Sequence, residues 1–480
     1  MAEHLVAAWM CALVACLSAV SWSFITPPFQ VPDEPDHFAY VKQLAETGTL
    51  PHSSEQAYSQ EEALALEILR FAKIRQRPVN TAIFSAAEQS VLERELQAAN
   101  RVRAGGSPDA GDATAEPPLY YAFESVPYLL GSGGTLLARL QLMRLLSALM
   151  AGLTAIFTFL FLREALPGAR WAWTVGASCV ALSPLLGFMS GAVNPDAMLF
   201  AVGAALFYCL ARAFRRGLTV RAALATGLVI AVGFLTKLNF VGLAPGALLG
   251  LAVIARRGVR SSGRGALRAP AIATALGFLP VVVYLVRNAL SNRPTFGIVA
   301  NAITTTHGSL LTVANYIWQL YLPRLPGTVA DFPGVFTTRQ IWFDGYIGRL
   351  GWLDTFFPGW VYALALIVAV PIAGLCIREL FRRRAALRAR LPELAVYATI
   401  TGGVMVLIGA DSYREFPRQL AEYGQARYLL PMLPLLGAAL ALAARGAGRR
   451  WGPTVGVLLV LAFLAHDLFS QLQVIARYYG

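Results

Sequence analysis

Charge is scarce in this chain. Only 14% of its 480 residues are Asp, Glu, Lys or Arg, whereas 56% are hydrophobic, and lysine occurs only as Lys42, Lys73 and Lys237. A composition this apolar excludes a soluble protein of several domains and is typical of a polytopic membrane protein. The spanning segments are predicted to be helices, because an open sheet edge cannot satisfy its backbone groups in lipid.

Cysteines and the common catalytic motifs are also few or missing. All five cysteines lie in predicted membrane spans, so no disulfide framework holds the outer loops, and we interpret them as small core residues. The sequence contains no Walker loop, Rossmann fingerprint, His-Glu-x-x-His or Gly-x-Ser-x-Gly. A reaction carried out by this chain would have to take its energy from an activated bond of the substrate.

Apolar windows long enough to cross a hydrocarbon core of about 30 Å recur along the chain. They predict an all-α fold of about eleven membrane helices in one transmembrane domain, 1–480. The windows are 5–26, 140–162, 171–189, 197–213, 221–236, 238–255, 271–287, 356–377, 394–410, 428–444 and 453–471. The first window lacks a positive flank and is longer than a signal-peptide core, so we predict that it is a retained helix.

Arginines are concentrated in every second loop. The clusters lie at 212–221, 256–268, 378–390 and 445–450. The positive-inside rule places these loops and the N-terminus in the cytoplasm, and the C-terminus outside. The net charge of +13 therefore reflects topology and does not indicate nucleic-acid binding. The loops predicted to lie outside are 27–118, 190–196, 288–355 and 411–427.

The two long outer loops carry structure of their own. In the loop 27–118, Ser59 and Ser85 each open a capping-box pattern before an apolar-periodic run, which predicts two short amphipathic helices. These helices could lie on the membrane surface or pack on each other. Residues 104–115 are predicted to form a linker. The aromatics of the loop 288–355 are typical of the membrane interface, and a sugar-stacking platform is the alternative.

Three acids and a histidine follow the first predicted span. They are Asp33, Glu34, Asp36 and His37, in a stretch that its prolines hold extended. A carboxylate at mid-bilayer costs about 2.5 to 3.5 kcal/mol on insertion scales, so acids at the membrane boundary suggest a function. We predict a catalytic carboxylate that meets a lipid-borne substrate; a solvated loop is the alternative.

Further polar residues lie at the outer ends of predicted spans. They are Asp196, in the turn Asn194-Pro195-Asp196, and the cations Arg144, Lys237 and Arg427. Asp196 could also cap its helix, and the cations could be interfacial anchors. Together they suit a reaction in which a carboxylate activates an acceptor hydroxyl while cations hold a lipid-linked phosphate leaving group.

The order of these motifs resembles the GT-C glycosyltransferases, which use polyprenyl-phosphate sugars. The resemblance is closest to a bacterial membrane family of unassigned function with Pro-x-x-Asp-Glu-Pro-x-His-Phe after the first span. Protein O-mannosyltransferases carry a similar Asp-Glu-x-His-Phe, and lipid A aminoarabinose transferases a Pro-Pro-Leu before the second span. The motifs here are Asp33-Glu34-Pro35-Asp36-His37-Phe38, Glu116-Pro117-Pro118-Leu119-Tyr120-Tyr121, Arg144-Leu145-Leu146-Ser147-Ala148-Leu149, Asn194-Pro195-Asp196 and Arg427-Tyr428-Leu429-Leu430-Pro431.

The resemblance implies a hexosyl- or pentosyltransferase of the bacterial plasma membrane. It would move a sugar, with inversion, from a polyprenyl-phosphate donor to a glycan, lipid or protein acceptor outside the cytoplasm. The implied catalytic residues are Asp33, Glu34 and Asp196, with Asp33 or Glu34 as the general base and Asp196 in support of the acceptor or a metal. From their place at the outer ends of spans we predict Arg144, Lys237 and Arg427 as donor-phosphate ligands. The predicted substrate-binding residues are His37, Glu116, Tyr120, Asn194 and Tyr428. No metal ligand is assigned, although three clustered carboxylates with His37 could hold a divalent ion. The rival hypothesis is a transporter or flippase of lipid-linked saccharides.

Overall fold

The computed structural model describes residues 2–51, 58–76, 86–99, 111–168, 170–290, 309–329, 336–415 and 424–480. Almost all regular structure in these ranges is helical. The helices up to the second predicted span are α1 (Ala2–Ile25), α2 (Glu34–Thr47), α3 (Gln60–Ile68), α4 (Phe71–Gln76), α5 (Ala86–Ala99), α6 (Leu119–Leu130) and α7 (Leu136–Ala165). The next are α8 (Arg170–Ala181), α9 (Pro184–Ser190), α10 (Asp196–Arg216), α11 (Val220–Thr236), α12 (Ala244–Ser262) and α13 (Arg268–Leu290). The last are α14 (Leu310–Tyr321), α15 (Gly345–Gly348), α16 (Gly359–Arg382), α17 (Arg384–Ala389), α18 (Leu391–Glu415), α19 (Leu433–Gly446) and α20 (Gly448–Tyr479).

Short turns and one small hairpin join these helices. The 3-10 turns are Gly111–Ala115, Leu238–Gly242, Arg264–Leu267 and Ala426–Met432, and Gln340–Asp344 forms a π-helical turn. Strands β1 (Arg349–Leu350) and β2 (Thr355–Phe356) pair antiparallel, with Arg349 opposite Phe356.

Each predicted span coincides with a helix, which confirms the all-α, multi-pass membrane class. Within the described ranges, eight helices are long and apolar enough to cross a membrane: α1, α7, α10, α13, α16, α18, α19 and α20. Helices α8 and α9, bent by 55°, form a ninth span if counted together. The other two predicted windows do not meet the same criterion: α11 has only 17 residues, and α12 (Ala244–Ser262) begins six residues after its window and ends in a stretch with three arginines. By length and composition the count is thus eight or nine rather than eleven.

The membrane helices pack inward on small and aromatic residues and expose apolar ones. Trp22 is fully buried and meets Phe188 edge to face. Gly176 and Gly437 let α8 and α19 approach closely, since a Cβ on Gly176 would lie 2.3 Å from the Gly437 carbonyl oxygen. Large apolar side chains face outward, for example Leu279, which is 62% exposed, and others on α16 and α20.

The amphipathic helices of the first outer loop form as predicted. The Ser59 hydroxyl accepts a hydrogen bond from the Glu62 amide at 3.3 Å and caps α3. Helix α5 contacts α3, which agrees with the interpretation that the two pack on each other. Ser85 and residues 104–110 lie outside the described residues. The end of the predicted linker is the turn Gly111–Ala115, where Ala113 and Thr114 are buried.

Aromatic residues of the second outer loop pack against the protein. The rings of Tyr321 and Trp342 stack with centroids 4.8 Å apart. The Trp352 indole donates to the Phe29 carbonyl oxygen and meets Phe71 edge to face. The contacts of Trp352 thus connect the two outer loops.

The two ends of the helix bundle differ in their charged residues. At one end the buried Glu164, near the end of α7, accepts hydrogen bonds from Arg215 and Arg216 at the end of α10. Arg390 donates to the Ala165 carbonyl at the same end. The beginnings of α7 and α10 lie at the other end, together with the acids that follow α1.

Candidate active site

The segment that follows the first helix has an unusual backbone. Phe29 and Asp33 both adopt left-handed conformations, with φ of 64° and 67°, a region that residues other than glycine occupy infrequently. Asp33 precedes α2, where an aspartate would ordinarily cap the helix, but its side chain makes no capping hydrogen bond. The Asp33 carboxylate is therefore available for another partner.

That partner is Arg427. Its Nη2 donates to Asp33 Oδ2 at 2.6 Å, from the 3-10 turn that leads into α19. The Arg427 side chain is 5% exposed and that of Asp33 is 39% exposed. Burial tends to raise the pKa of Asp33, but the charge of Arg427 and the hydrogen bond that Arg427 donates lower it, and the net pKa lies below the usual value. Asp33 is thus an ionised carboxylate that a ligand can still reach.

A second ion pair lies beside the first. Lys237, directly after α11, is 2.8 Å through Nζ from Asp196 Oδ1. Burial tends to lower the pKa of Lys237, but Asp196 and Glu116 raise it, so the lysine is charged. Asp196 is the first residue of α10 and not its cap, and its Oδ2 is 3.9 Å from Arg427 Nη1. Arg427 therefore joins the two pairs.

Several buried polar atoms around these pairs have no hydrogen-bond partner among the described residues. They are Nε and Nη1 of Arg427, Oδ2 of Asp196 and Nε2 of His37. Leaving buried polar groups unpaired is costly, so such a cluster indicates a place where a ligand completes the hydrogen bonds. Two of the four are guanidinium N–H groups, which favour an anion.

His37 and Glu116 form one wall of the cluster. His37 Nδ1 lies 3.0 Å from the Tyr121 hydroxyl. Burial, and then the Lys237 charge, lower the pKa of His37 to about 3, so its imidazole is neutral. Glu116 Oε2 accepts a hydrogen bond from the Leu238 amide at 3.0 Å, and burial raises the pKa of Glu116. Tyr121 stands in a sequence motif that the resemblance includes, although no role was predicted for it.

Tyr428 also contacts the cluster. Its hydroxyl accepts a hydrogen bond from Arg427 Nη2 at 3.3 Å, and the Arg427 guanidinium lies 5.0 Å from the centre of its ring. Tyr120 is engaged elsewhere, since its hydroxyl is 2.7 Å from Ser147 Oγ. Asn194 uses both ends of its side chain within the turn, donating to the Pro32 carbonyl and accepting from the Asp196 amide.

Arg144 and Glu34 pair with each other, apart from this cluster. Arg144 Nε and Nη2 donate to the two Glu34 oxygens at 2.7 and 2.6 Å. The other three N–H groups of Arg144 donate to carbonyl oxygens of residues 23, 26 and 27. Since a guanidinium has five N–H groups, none is left for a ligand. The structure therefore does not bring Arg144 into the group formed by Lys237 and Arg427.

The three acids of the first motif do not converge on one point. Asp33 faces Arg427 and Glu34 faces Arg144, while Asp36 accepts a hydrogen bond from the Tyr58 hydroxyl at 2.6 Å. Among the described residues, no group of three or more His, Cys, Asp or Glu is arranged to hold a metal ion. The three carboxylates and His37 thus do not form the divalent-ion site that their spacing in the sequence allows.

Two cavities meet at Arg427, which lines both of them. One is a narrow cleft between membrane helices, with Asp196 and Tyr428 at its polar end. Its apolar walls are Leu199, Phe200, Leu243, Val404, Leu407, Ile408 and Pro431. The other is also narrow, lies toward the outer loops and is lined by Pro32, next to Asp33. Its remaining walls are Leu185, Phe188, Met189, Ile341, Gly345, Arg349, Gly351, Leu353, Gly424, Gln425 and Ala426.

Sequence reasoning missed some polar residues of these cavities. Asn239 lines the cavity between the membrane helices, and Arg349 and Gln425 line the outer one. Asn239 could have been found from its place two residues after Lys237, at the start of the predicted window 238–255. Arg349 and Gln425 have no such signal, since they lie in loops with many polar residues.

A comparison with protein families identifies the chain. Residues 16–436 match the profile of the family described as predicted membrane protein (DUF2142), and the chain belongs to this family. The match confirms the resemblance to a membrane family of unassigned function. No curated protein matches the sequence.

A solved structure also overlaps with this fold. It is the crystal structure of ArnT from Cupriavidus metallidurans bound to undecaprenyl phosphate, at 14% sequence identity. The match covers 97% of this chain and 75% of that chain, with a TM-score of 0.43. At this level the overlap does not assign a ligand or an activity to the present chain.

Proposed function

We propose that this member of the DUF2142 family is a membrane glycosyltransferase, which moves a sugar from a polyprenyl-phosphate donor to an acceptor outside the cytoplasm. One observation carries the proposal. A partly exposed carboxylate, Asp33, lies 2.6 Å from an arginine whose Nε and Nη1 have no hydrogen-bond partner among the described residues, at the junction of two cavities. A base, an anion site and two approaches are the parts that such a transfer needs.

The donor would occupy the cavity between the membrane helices. Its phosphate would accept hydrogen bonds from Arg427, with Lys237 adding charge, because charge-assisted hydrogen bonds hold phosphate most strongly in a partly dry site. The prenyl chain would lie along apolar walls such as Leu199, Phe200 and Leu243. Asp196 would hold Lys237 and the second face of Arg427 in place.

The acceptor would approach from the outer cavity, which begins beside Asp33. Asp33 would take the proton of an acceptor hydroxyl as its oxygen bonds to the anomeric carbon. The bond between that carbon and the phosphate oxygen would break at the same time, and polyprenyl phosphate would leave with the electron pair. Attack opposite the leaving group inverts the anomeric centre. The neutral His37 and the carboxyl of Glu116 would orient sugar hydroxyls.

The proposed side of the membrane follows from the two ends of the bundle. The end with Glu164, Arg215 and Arg216 carries the arginine-rich loops, which the positive-inside rule places in the cytoplasm. The Asp33 cluster lies at the opposite end and would face outward from the plasma membrane of a bacterium. The N-terminus would be cytoplasmic.

A transporter of lipid-linked saccharides is the rival function. The 55° break between α8 and α9 favours it, since transporters often use broken helices. Transporter sites, however, lie near the middle of the membrane, whereas this cluster lies where α10 and the turn before α19 begin. The two functions differ in whether a covalent bond changes.

The test is a transfer assay with purified protein in lipid nanodiscs. Radiolabelled polyprenyl-phosphate sugars are supplied one at a time with a membrane extract as acceptor, and both labelled product and released polyprenyl phosphate are measured. Turnover that Asp33→Asn lowers by about 10²- to 10⁴-fold supports the proposal, as expected for loss of a positioned base. Movement of intact donor across liposomes without any bond cleavage would support the transporter instead.

A further inference from the structure

The Glu34 carboxylate and the Arg144 guanidinium form a closed unit. Glu34 is fully buried and Arg144 is 2% exposed. Besides the two bonds from Arg144, Glu34 Oε2 accepts from the Phe29 amide at 2.9 Å and Oε1 from the Val193 amide at 3.1 Å. All five donors of the arginine and both oxygens of the glutamate are therefore engaged within the protein.

The partners of this unit are the backbone groups that shape the candidate site. Arg144 binds three carbonyl oxygens where α1 ends, and Glu34 binds the amide of Phe29, one of the two residues of the segment 26–33 with a left-handed backbone. The other left-handed residue is Asp33, directly before Glu34. A left-handed backbone is unfavourable for residues with a Cβ, so surrounding contacts must hold it.

The same unit connects two loops of the site. Val193, whose amide Glu34 binds, precedes Asn194, and Asn194 in turn donates to the Pro32 carbonyl at 3.1 Å. Two hydrogen bonds therefore join the turn before α10 to the segment that carries Asp33 and Glu34. Displacing either partner would move Asp33 relative to Asp196.

We infer that Glu34 and Arg144 are positioning residues, which act on the reaction through the orientation of Asp33 and do not contact donor or acceptor. The inference rests on the proposed function for its kinetic consequences. It gives different roles to Asp33 and Glu34, two adjacent acids of the same motif. It also removes one cation from the phosphate site and leaves Lys237 and Arg427.

The test uses full-length Glu34→Gln and Arg144→Lys in nanodiscs, with Glu164→Gln as the matched control. Glu164 is a buried carboxylate on α7, the same helix as Arg144, and it pairs with Arg216. It lies 20 residues, and thus about 30 Å, from Arg144 along that helix. Undecaprenyl phosphate is titrated into each variant, and kcat, KM and the pH profile are measured with the sugar donor that the wild type uses.

A positioning role predicts a split between binding and rate. Both variants should bind undecaprenyl phosphate within about twofold of wild type and lose roughly 10- to 100-fold in kcat, the range for a displaced catalytic group. The pH profile should keep the acid limb set by Asp33. Arg144→Lys should retain more rate than Arg144→Ala, since it keeps the charge but not the five-bond geometry. The control should match wild type.

Two results would overturn the inference. A tenfold or greater loss of undecaprenyl phosphate affinity in Arg144→Lys would make Arg144 a donor ligand. Loss of the acid limb in Glu34→Gln, with Asp33→Asn still active, would make Glu34 the base. If Glu34→Gln does not fold, Arg144→Lys, which keeps the buried charge, carries the affinity and kcat measurements, and wild-type turnover of Asp33→Asn would overturn the inference.

A readout without turnover separates this inference from the proposed function. Asp33→Cys is labelled with a water-soluble thiol reagent, alone and combined with Arg144→Lys or Glu164→Gln. A labelling rate changed severalfold only by Arg144→Lys supports the positioning role even if no donor sugar is ever transferred. Equal rates in all three proteins would contradict it.

Discussion

Replacing Arg427 by alanine tests the anion site most directly. Arg427 offers two nitrogens, Nε and Nη1, that have no hydrogen-bond partner among the described residues, and one hydrogen bond from each to a charged group is worth about 1.5 to 3 kcal/mol. Removing both should cost the donor about 3 to 6 kcal/mol. At 1.4 kcal/mol per tenfold, this weakens binding by about 10²- to 10⁴-fold.

The variant should fold, so the loss can be assigned to binding. Asp33 is 39% exposed and can be hydrated once its partner is gone. Asp196 keeps Lys237 at 2.8 Å. No fully buried carboxylate is then left without a counter-charge, which is the situation that strongly destabilises proteins.

The assay is titration of undecaprenyl phosphate into nanodisc-held protein. Arg427→Lys should recover part of the loss, because lysine keeps the charge but not the forked geometry. Lys237→Ala should lose less than Arg427→Ala, since Lys237 already pairs with Asp196. Arg212→Ala, a change at the arginine-rich end, is the control and should bind like wild type. Unchanged affinity in Arg427→Ala would refute the anion site and leave Arg427 as a structural partner of Asp33.

Three further predictions concern the base, the orientation and His37. Asp33→Asn should lower transfer by about 10²- to 10⁴-fold while undecaprenyl phosphate still binds, and wild-type turnover would exclude Asp33 as the base. In intact cells, a cysteine at Ser107, which lies outside the described residues, should react with an impermeant thiol reagent and one at Arg384 should not; the reverse would overturn the topology. Because burial lowers the pKa of His37 from 6.5 to about 3, the unfolded chain binds more protons than the folded one between these values, and stability falls as pH drops below 6.5. At 1.36 kcal/mol per pH unit, the loss in free energy of unfolding is about 2 kcal/mol at pH 5. Unfolding in detergent, measured at pH 7.5 and at pH 5, should therefore depend less on pH in His37→Gln than in wild type. An equal pH dependence in the two proteins would contradict a neutral buried imidazole.

The helices could be predicted because the membrane imposes a strong constraint on sequence. A span needs about 20 apolar residues, and loops carry charge, so windows and arginine clusters locate helices and their ends. The breaks were harder to predict. Lys237 is a single charged residue in an otherwise apolar stretch. The bend between α8 and α9 lies directly before Pro184, in a run that otherwise suits one span.

Pairing of the cations could not be predicted, since their signals in the sequence are the same. Arg144 and Arg427 each lie near the start of a predicted span on the same side. In the structure, all five N–H groups of Arg144 bind the protein, whereas those on Nε and Nη1 of Arg427 have no hydrogen-bond partner among the described residues. The difference depends on which acid each meets across loops more than 100 residues apart, and hydrophobic patterning carries no information about that.

The different roles of the adjacent acids Asp33 and Glu34 could not be predicted from the sequence either, and they follow from the backbone where α2 begins. Asp33 lies just before α2 with a left-handed backbone, whereas Glu34 is the first helical residue, so the two side chains leave the chain in different surroundings. The left-handed backbone at Asp33 turns its carboxylate toward Arg427, while Glu34, the first residue of α2, faces α7. A motif of two acids in a row thus encodes one reachable carboxylate and one buried anchor, and only the surrounding helices decide which is which.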